Sequence, residues 1–258
     1  QRLAAAMQDA EVRAFVESHA AVLSGPETRV TTDDWPYFYQ QAPGLPLSVI
    51  LVSGAVVLVF AWFFRQVGEH GSGFQWHFFF LGAGFMLLEA QIVRKMALLF
   101  GTTWVVNSIV IAGLLVLIVA ANMVHKLVPK IPASLAYAGL FVTMVVGYVV
   151  PLERFFFSSL LLKAVSSTLV LCSPVFFAGI IFVSSFERAG FQGRALAANL
   201  FGSLAGGLLE SLSMWFGLKS LLVVAALLYL ASALTRKKDA TQEIDSVREE
   251  PELVTATV

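Results

Sequence analysis

The sequence predicts an all-α protein, a polytopic helical membrane bundle of about seven transmembrane helices. First, apolar runs follow one another from Leu47 to Leu234, and each approaches the roughly 20 residues that a helix needs to cross a bilayer. Second, 58% of the 258 residues are hydrophobic and 13% are charged, whereas soluble domains carry about 25% charged residues. Third, the charged residues concentrate in positions 1–35, in short connections and after Thr235. We therefore expect lipid to surround most of the chain.

Charged or turn-forming residues divide the apolar stretch into spans. The segment from Phe155 to Phe186 is too long for one straight crossing and short for two. We favour an interfacial helix over 155–162 and then a span kinked at Pro174, because proline frees the carbonyl of Val170. A double crossing there would raise the count to eight. The seven spans are predicted at 47–64, 76–93, 102–124, 133–150, 164–186, 195–216 and 218–234.

Three regions follow from this division. Residues 1–46 are predicted to hold an amphipathic surface helix over 2–22 and then an interfacial segment, where Trp35 and Tyr37 suit the membrane–water boundary. Residues 47–235 form the transmembrane bundle. The polar tail 236–258 is predicted to be disordered. Residues 1–46 are too few for an independent domain, so we expect the sequence to be part of something longer or processed.

The Lys and Arg residues near the span ends predict the orientation. With seven spans, eight of them lie on one side and five on the other, and the richer side is expected in the cytoplasm. This places the C-terminus inside and the N-terminal segment outside, in a multi-pass protein of a bacterial inner membrane. The net charge of zero gives no indication of nucleic acid binding. The two groups are Arg65, Lys126, Lys130, Arg188, Arg194, Arg236, Lys237 and Lys238, and Arg94, Lys95, Arg154, Lys163 and Lys219.

Glu89 is the sharpest candidate for an intramembrane polar site. A carboxylate at this depth costs several kcal/mol, so it faces a cavity or a partner, or is protonated. Arg94, five residues on, would either reach the interface or bend back toward Glu89. Two interpretations are open: a structural pair between helices, or a substrate, proton or ion site. The candidate site comprises Glu89, Gln91, Arg94, Asn107, Asn199 and Glu210.

Small residues predict where helices pack closely. Ala198, Gly202 and Gly206 recur every four residues in the sixth span, and Gly82 and Gly84 lie in the second. In lipid, small side chains let helix backbones approach and gain van der Waals contact. We therefore predict a packing seam along these five residues.

Motifs for chemistry are lacking in this sequence. His77 and His125 lie at span ends without the spacing of a haem-ligand pair. The single cysteine, Cys172, cannot form an internal disulfide. We predict no catalytic residues, no metal site and no cofactor within this chain.

Four strings in the bundle resemble bacterial spermidine-synthase-like integral membrane proteins. The stretch Thr32-Asp33-Asp34-Trp35-Pro36 is similar to the end of that family's aminopropyltransferase-like Rossmann domain. The resemblance implies an upstream soluble domain that binds decarboxylated S-adenosylmethionine or a similar cofactor, in a transferase. The Gly-rich cofactor loop and the catalytic Asp region are absent from this sequence, so the activity is not carried over to it. The strings are FLGAGFMLLE at 80–89, LFGTTWVVNS at 99–108, PVFFAGIIF at 174–182 and RALAANLFG at 194–202.

Three functions remain open from the sequence. The first is a membrane domain of a spermidine-synthase-like protein, which anchors it and binds an amine or a hydrophobic substrate; an amine would pair with Glu89. The second is a transporter or permease, indicated by Pro174 within a span and by Gly-rich helices. The third is a structural subunit of a membrane complex. The expected partners are the lipid bilayer and either an upstream soluble domain or other membrane subunits.

Overall fold

The computed structural model describes residues 9–23, 31–32, 34–37, 44–68, 74–101, 104–128 and 131–255. Within these ranges the side chains at 19–23, 63–64, 66–68, 105–107 and after Arg236 are not described. Within these ranges all regular structure is helical, which confirms the all-α class. Besides the α-helices, these ranges contain short 3-10 turns at Leu152–Phe155 and Glu210–Leu212. The helices are α1 Ala10–Leu23, α2 Leu47–Gly68, α3 Trp76–Phe100, α4 Trp104–Leu127, α5 Ala133–Val149, α6 Leu160–Leu171, α7 Ser173–Phe186, α8 Gln192–Leu209, α9 Ser213–Phe216 and α10 Leu218–Thr255.

Four helical segments in the described ranges are long and apolar enough to cross a membrane. They are Trp76–Phe100, Ser108–Leu127, Gln192–Phe216 and Leu218–Arg236, and α6 with α7 makes a fifth if the bent pair is one span. The apolar parts of α2 and α5 are shorter, at Leu47–Trp62 and Ala133–Val149. By length and composition the structure thus has four or five candidate spans, and the predicted count of seven is not confirmed.

Helix α3 lies at the centre of the bundle, and its two ends serve as landmarks. At one end, here the His77 end, His77 contacts Ser232 of α10. At the other, the Arg94 end, Lys95 contacts Gly147 near the end of α5. These contacts make α5 parallel to α3. Because α10 begins beside the Arg94 end and reaches His77 only at Ser232, it is antiparallel to α3.

The remaining helices alternate in the same way. Helix α4 ends at the His77 end, where His125 meets Glu187 just after α7. Helix α6 begins at the Arg94 end, where Lys163 donates to the carbonyl of Leu99, and α7 ends where Ser185 contacts His77. The stretch 155–186 therefore traverses the bundle once.

Helices α3 and α8 pack backbone against backbone. A Cβ atom added to Gly82 would lie 2.0 Å from the carbonyl oxygen of Asn199, and one on Gly202 would lie 1.9 Å from that of Phe79. On Gly206 it would lie 2.5 Å from the carbonyl oxygen of Ala83. No side chain fits such gaps, so glycine is required for this approach.

The other two predicted packing residues also lie against α3 or within it. Ala198 of α8 is buried. A Cβ added to Gly84 would lie 3.1 Å from the ring of Tyr229 on α10. The small residues of α3 and α8 therefore bring two neighbouring helices onto α3.

The break between α6 and α7 falls at Cys172, and the two helices are bent by 45°. Pro174 occupies the first turn of α7, where its missing N–H costs no helical bond. The carbonyl of Val170 accepts a hydrogen bond from Ser173 Oγ at 2.9 Å. The predicted kink thus lies at Cys172. The predicted interfacial helix over 155–162 is wrong, because Phe155 ends a 3-10 turn and α6 begins at Leu160.

The first and last regions also differ from expectation in extent. Helix α1 begins at Ala10, whereas residues 2–8 of the predicted helix lie outside the described residues. Helix α10 continues to Thr255 through the segment for which the sequence predicts disorder. That segment contains four Glu residues and four Lys or Arg residues, which are good helix formers.

Candidate functional site

An ion pair at the Arg94 end joins α3 to the 3-10 turn after α8. Arg94 pairs with the carboxylate of Glu210 and also donates to the hydroxyls of Tyr37 and Ser213. The side chains of Arg94 and Glu210 are 26% and 28% exposed, so the pair keeps some contact with solvent. Arg94 therefore does not bend back to Glu89. Five positions apart, the two side chains do not share a helix face.

The segment 34–37 docks against the same corner. Trp35 is 1% exposed, and its indole N–H donates to the carbonyl of Met214 at 2.8 Å. The backbone N–H of Leu218 donates to the Asp34 carbonyl at 2.6 Å, and that of Lys219 donates to Asp34 Oδ1 at 2.7 Å. Asp34 thus caps the first turn of α10. Sequence reasoning assigned Trp35 to a lipid interface and missed this docking.

The six predicted polar residues do not form one cluster in the described structure. Glu89 is half-buried, and no hydrogen bond or ion pair to another described residue is found for it. Gln91 is 3% exposed, and its Nε2 has no partner among the described residues. Asn199 donates to the carbonyl of Phe78 at 3.3 Å, far along α3 from Arg94. The side chain of Asn107 lies outside the described residues.

An apolar cavity of about 200 Å³ lies between five helices. Most of its wall is aliphatic or aromatic, and Asn199 and Tyr229 are the lining residues that carry polar side-chain groups. Tyr229 is fully buried, and its hydroxyl has no hydrogen-bond partner among the described residues. The lining residues are Leu81, Phe85, Ile118, Ala178, Gly179, Phe182, Asn199 and Tyr229.

A buried hydrogen-bond network closes the His77 end. His77 Nδ1 lies 2.9 Å from the carbonyl oxygen of Ser232, and Nε2 lies 3.0 Å from Ser185 Oγ. The hydroxyl of Tyr137 lies 3.0 Å from Ser232 Oγ. A neutral imidazole with its proton on Nδ1 satisfies both ring contacts. The network joins α3, α5, α7 and α10.

The contact between Ser185 and His77 has the length of a nucleophile–base hydrogen bond. Both side chains are buried, however, and neither lines the apolar cavity. Burial of both groups outside this cavity fits a contact that packs α3 against α7. His125 likewise contacts Glu187, at 2.8 Å. From the sequence, these histidines were examined only as haem ligands. Their hydrogen-bond partners lie more than 60 positions away, and no local sequence pattern indicates such distant partners.

The fold and these contacts define a class: a helical bundle of membrane type, with polar contacts at both ends and an apolar cavity between them. In the part of the chain that the structure describes, no group of three or more His, Cys, Asp or Glu side chains could hold a metal ion. Comparison of the chain with family models, with curated proteins and with solved structures finds no match.

Proposed function

We propose that this chain is the seven-crossing membrane domain of a spermidine-synthase-like protein, and that it binds a small hydrophobic or amine-bearing molecule between its helices. Its second role is anchoring, since the docked segment 34–37 fixes the preceding chain to the Arg94 end. The resemblance of the four membrane strings and of Thr32-Asp33-Asp34-Trp35-Pro36 supports the family. The transferase chemistry belongs to an upstream domain of the resembling proteins.

The alternation of the helices supports seven crossings. Helix α5, although only 17 residues long, runs from Tyr137 at the His77 end to Gly147 at the Arg94 end. It therefore covers most of the depth that α3 covers. Helix α2 adds a crossing beside α8, where the rings of Phe60 and Phe201 lie 5.1 Å apart. The members of the two Lys and Arg groups whose backbone the structure describes then fall on opposite ends, with the richer group and the cytoplasm at the His77 end.

The apolar cavity is the single observation that carries the binding role. An engineered apolar cavity of about 150 Å³ in another protein holds benzene, so a space of about 200 Å³ accommodates a ligand of similar size. The rings of Phe85, Phe182 and Tyr229 line it, and aromatic faces attract cationic amines. The hydroxyl of Tyr229 is buried and has no partner among the described residues, and it is the group that we expect to accept a hydrogen bond from the amine N–H of a bound ligand.

Thermal unfolding of the purified chain in detergent tests this proposal with benzylamine and toluene, which differ by the amine. Ligands that bind only the folded state raise the melting temperature. We expect both to raise it, and Tyr229→Phe to weaken benzylamine binding about fivefold, as expected for one lost hydrogen bond, without weakening toluene binding. Tyr148→Phe, outside the cavity, is the matched control. If neither compound shifts the wild-type melting temperature, the binding role is wrong.

The 45° break between α6 and α7 favours a transporter as the second candidate function. Broken helices frequently surround the substrate site of secondary transporters. Reconstitution of the purified protein into the membrane of proteoliposomes distinguishes a transporter from a protein that only binds the ligand. Accumulation of benzylamine inside them would favour transport, whereas binding without accumulation would favour a static ligand site.

A further inference from the structure

A second cavity, of about 320 Å³, lies at the Arg94 end beside the start of α10. It shares no lining residue with the apolar cavity. Its wall combines two lysines, two carboxylates and short apolar stretches. The lining residues that bear on binding are Asp34, Lys95, Tyr148, Glu153 and Lys219.

Lys95 places a buried positive charge on this wall. The side chain is 8% exposed, and Nζ donates to the carbonyl of Gly147 at 2.6 Å. An ammonium group has three donors, so two remain after this bond. Among the described residues no carboxylate lies within ion-pair distance of Nζ. A buried charge without a close counter-ion is costly, and an oxyanion in the cavity would compensate it.

The other charges on the wall argue against a simple anion or a simple cation. Lys219 adds a second ammonium, 5.8 Å from the ring centre of Tyr148. Asp34 and Glu153 add two carboxylates. Asp34 already accepts the N–H of Lys219 through Oδ1, whereas Glu153 is exposed. A bare anion would meet two carboxylates, and a bare cation would meet two lysines.

We propose that this cavity binds a zwitterion that carries a phosphate or carboxylate group and a primary amine. Its oxyanion accepts from Lys95, and its ammonium donates to Glu153. The volume lies within the range of about 300–1,000 Å³ typical of small-molecule sites. Two sources share this chemistry: the headgroup of phosphatidylethanolamine, since the cavity lies at one end of a bundle of membrane type, and a free molecule such as phosphoethanolamine.

The test measures binding to the purified full chain in detergent by thermal unfolding. The probes are phosphatidylethanolamine, phosphatidylglycerol, phosphatidylcholine and free phosphoethanolamine. We expect phosphatidylethanolamine or phosphoethanolamine to raise the melting temperature more than the other two lipids do. Phosphatidylglycerol lacks the amine, and the quaternary ammonium of phosphatidylcholine has no N–H to donate to Glu153.

Two variants assign the effect to the cavity. Lys95→Gln should weaken binding of the preferred probe about tenfold or more, which is the loss of affinity typical of removing a hydrogen bond to a charged group. Lys163→Gln is the matched control, because Lys163 also donates to a backbone carbonyl at the same end but does not line the cavity. If Lys95→Gln does not fold, Glu153→Gln tests the site instead. Glu153 is exposed, so we expect its carboxylate to contribute to binding of the ligand's ammonium and not to folding.

Each outcome bears on the proposal. A response to the lipid alone supports it with the headgroup as source, and a response to phosphoethanolamine alone supports it with a free ligand. An equal or larger response to phosphatidylglycerol overturns the zwitterion assignment. An unchanged response in both Lys95→Gln and Glu153→Gln overturns the site itself. Neither result bears on the Tyr229 cavity, which benzylamine tests separately.

Discussion

The two ends of the bundle hold helices together with different chemistry. At the His77 end, neutral groups of four helices form a network in which Ser232 is fully buried. At the Arg94 end, the central contact is an ion pair whose side chains remain about a quarter exposed. Neutral polar groups can be buried once they are hydrogen-bonded, whereas ions lose too much hydration. The neutral network is therefore buried more deeply than the ion pair, and Lys95, which is 8% exposed and bonded to the Gly147 carbonyl, is the buried charge that departs from this trend.

The largest effect is expected from His77→Phe at the neutral end. The substitution keeps an aromatic ring but leaves the Ser185 hydroxyl and a Ser232 carbonyl without the imidazole. The Ser232 carbonyl keeps the Thr235 hydroxyl as a partner, so it loses one hydrogen bond worth about 1 kcal/mol, whereas the buried Ser185 hydroxyl is left unsatisfied at a cost of about 1–3 kcal/mol. We therefore expect a loss of about 3 kcal/mol in the free energy of unfolding in detergent micelles. His125→Phe is the control, with a loss below about 1 kcal/mol, because its partner Glu187 is mostly exposed. Equal losses would contradict the comparison.

A smaller effect is expected from Arg94→Met at the charged end. Removing Arg94 leaves Glu210 without its counter-ion, and partial exposure reduces the cost to about 2 kcal/mol. This loss should shrink in about 1 M salt, whereas that of His77→Phe should not. The double variant Arg94→Met/Glu210→Gln should recover part of the stability. A loss that is insensitive to salt would show that packing, and not charge, holds this end.

The smallest effect is expected between the ends, at Glu89. Glu89→Gln removes a half-buried charge for which no partner is found among the described residues, so no ion pair is lost and we expect the free energy of unfolding not to fall. Glu210→Gln, the same substitution at a paired carboxylate, should cost more because Arg94 loses its counter-ion. Loss of ligand binding in a folded Glu89→Gln protein would identify Glu89 as functional. Loss of folding would instead show a structural partner.

A regular spacing of small residues is the kind of feature that a local sequence pattern can carry. The four-residue spacing of Ala198, Gly202 and Gly206 is visible within one helix, and these residues lie where α8 meets α3. The end of the second span was predicted at Val93, but α3 continues to Phe100. The charged residues Arg94 and Lys95 were expected to end the span.

The reason for this difference is the pairing of those charges inside the bundle. Arg94 binds Glu210, and Lys95 binds the Gly147 carbonyl, so both are accommodated within the helix. Such partners lie 116 and 52 positions away. They depend on how far each helix slides along its neighbour, and no local pattern in the sequence encodes that distance. The polar candidates were therefore found individually, but their grouping was not.

Gly217 shows what the tight reversal between α9 and α10 demands. Its φ of +88° belongs to the left-handed region, and an added Cβ would lie 2.7 Å from Asp34 Oδ2. Gly217 therefore meets two requirements. Its backbone adopts the positive φ that the reversal needs, and its missing side chain leaves room for the carboxylate of Asp34, more than 180 positions earlier in the chain. Anyone inserting an epitope tag or a fluorescent reporter at this corner should expect the N-terminal segment to be displaced along with the turn.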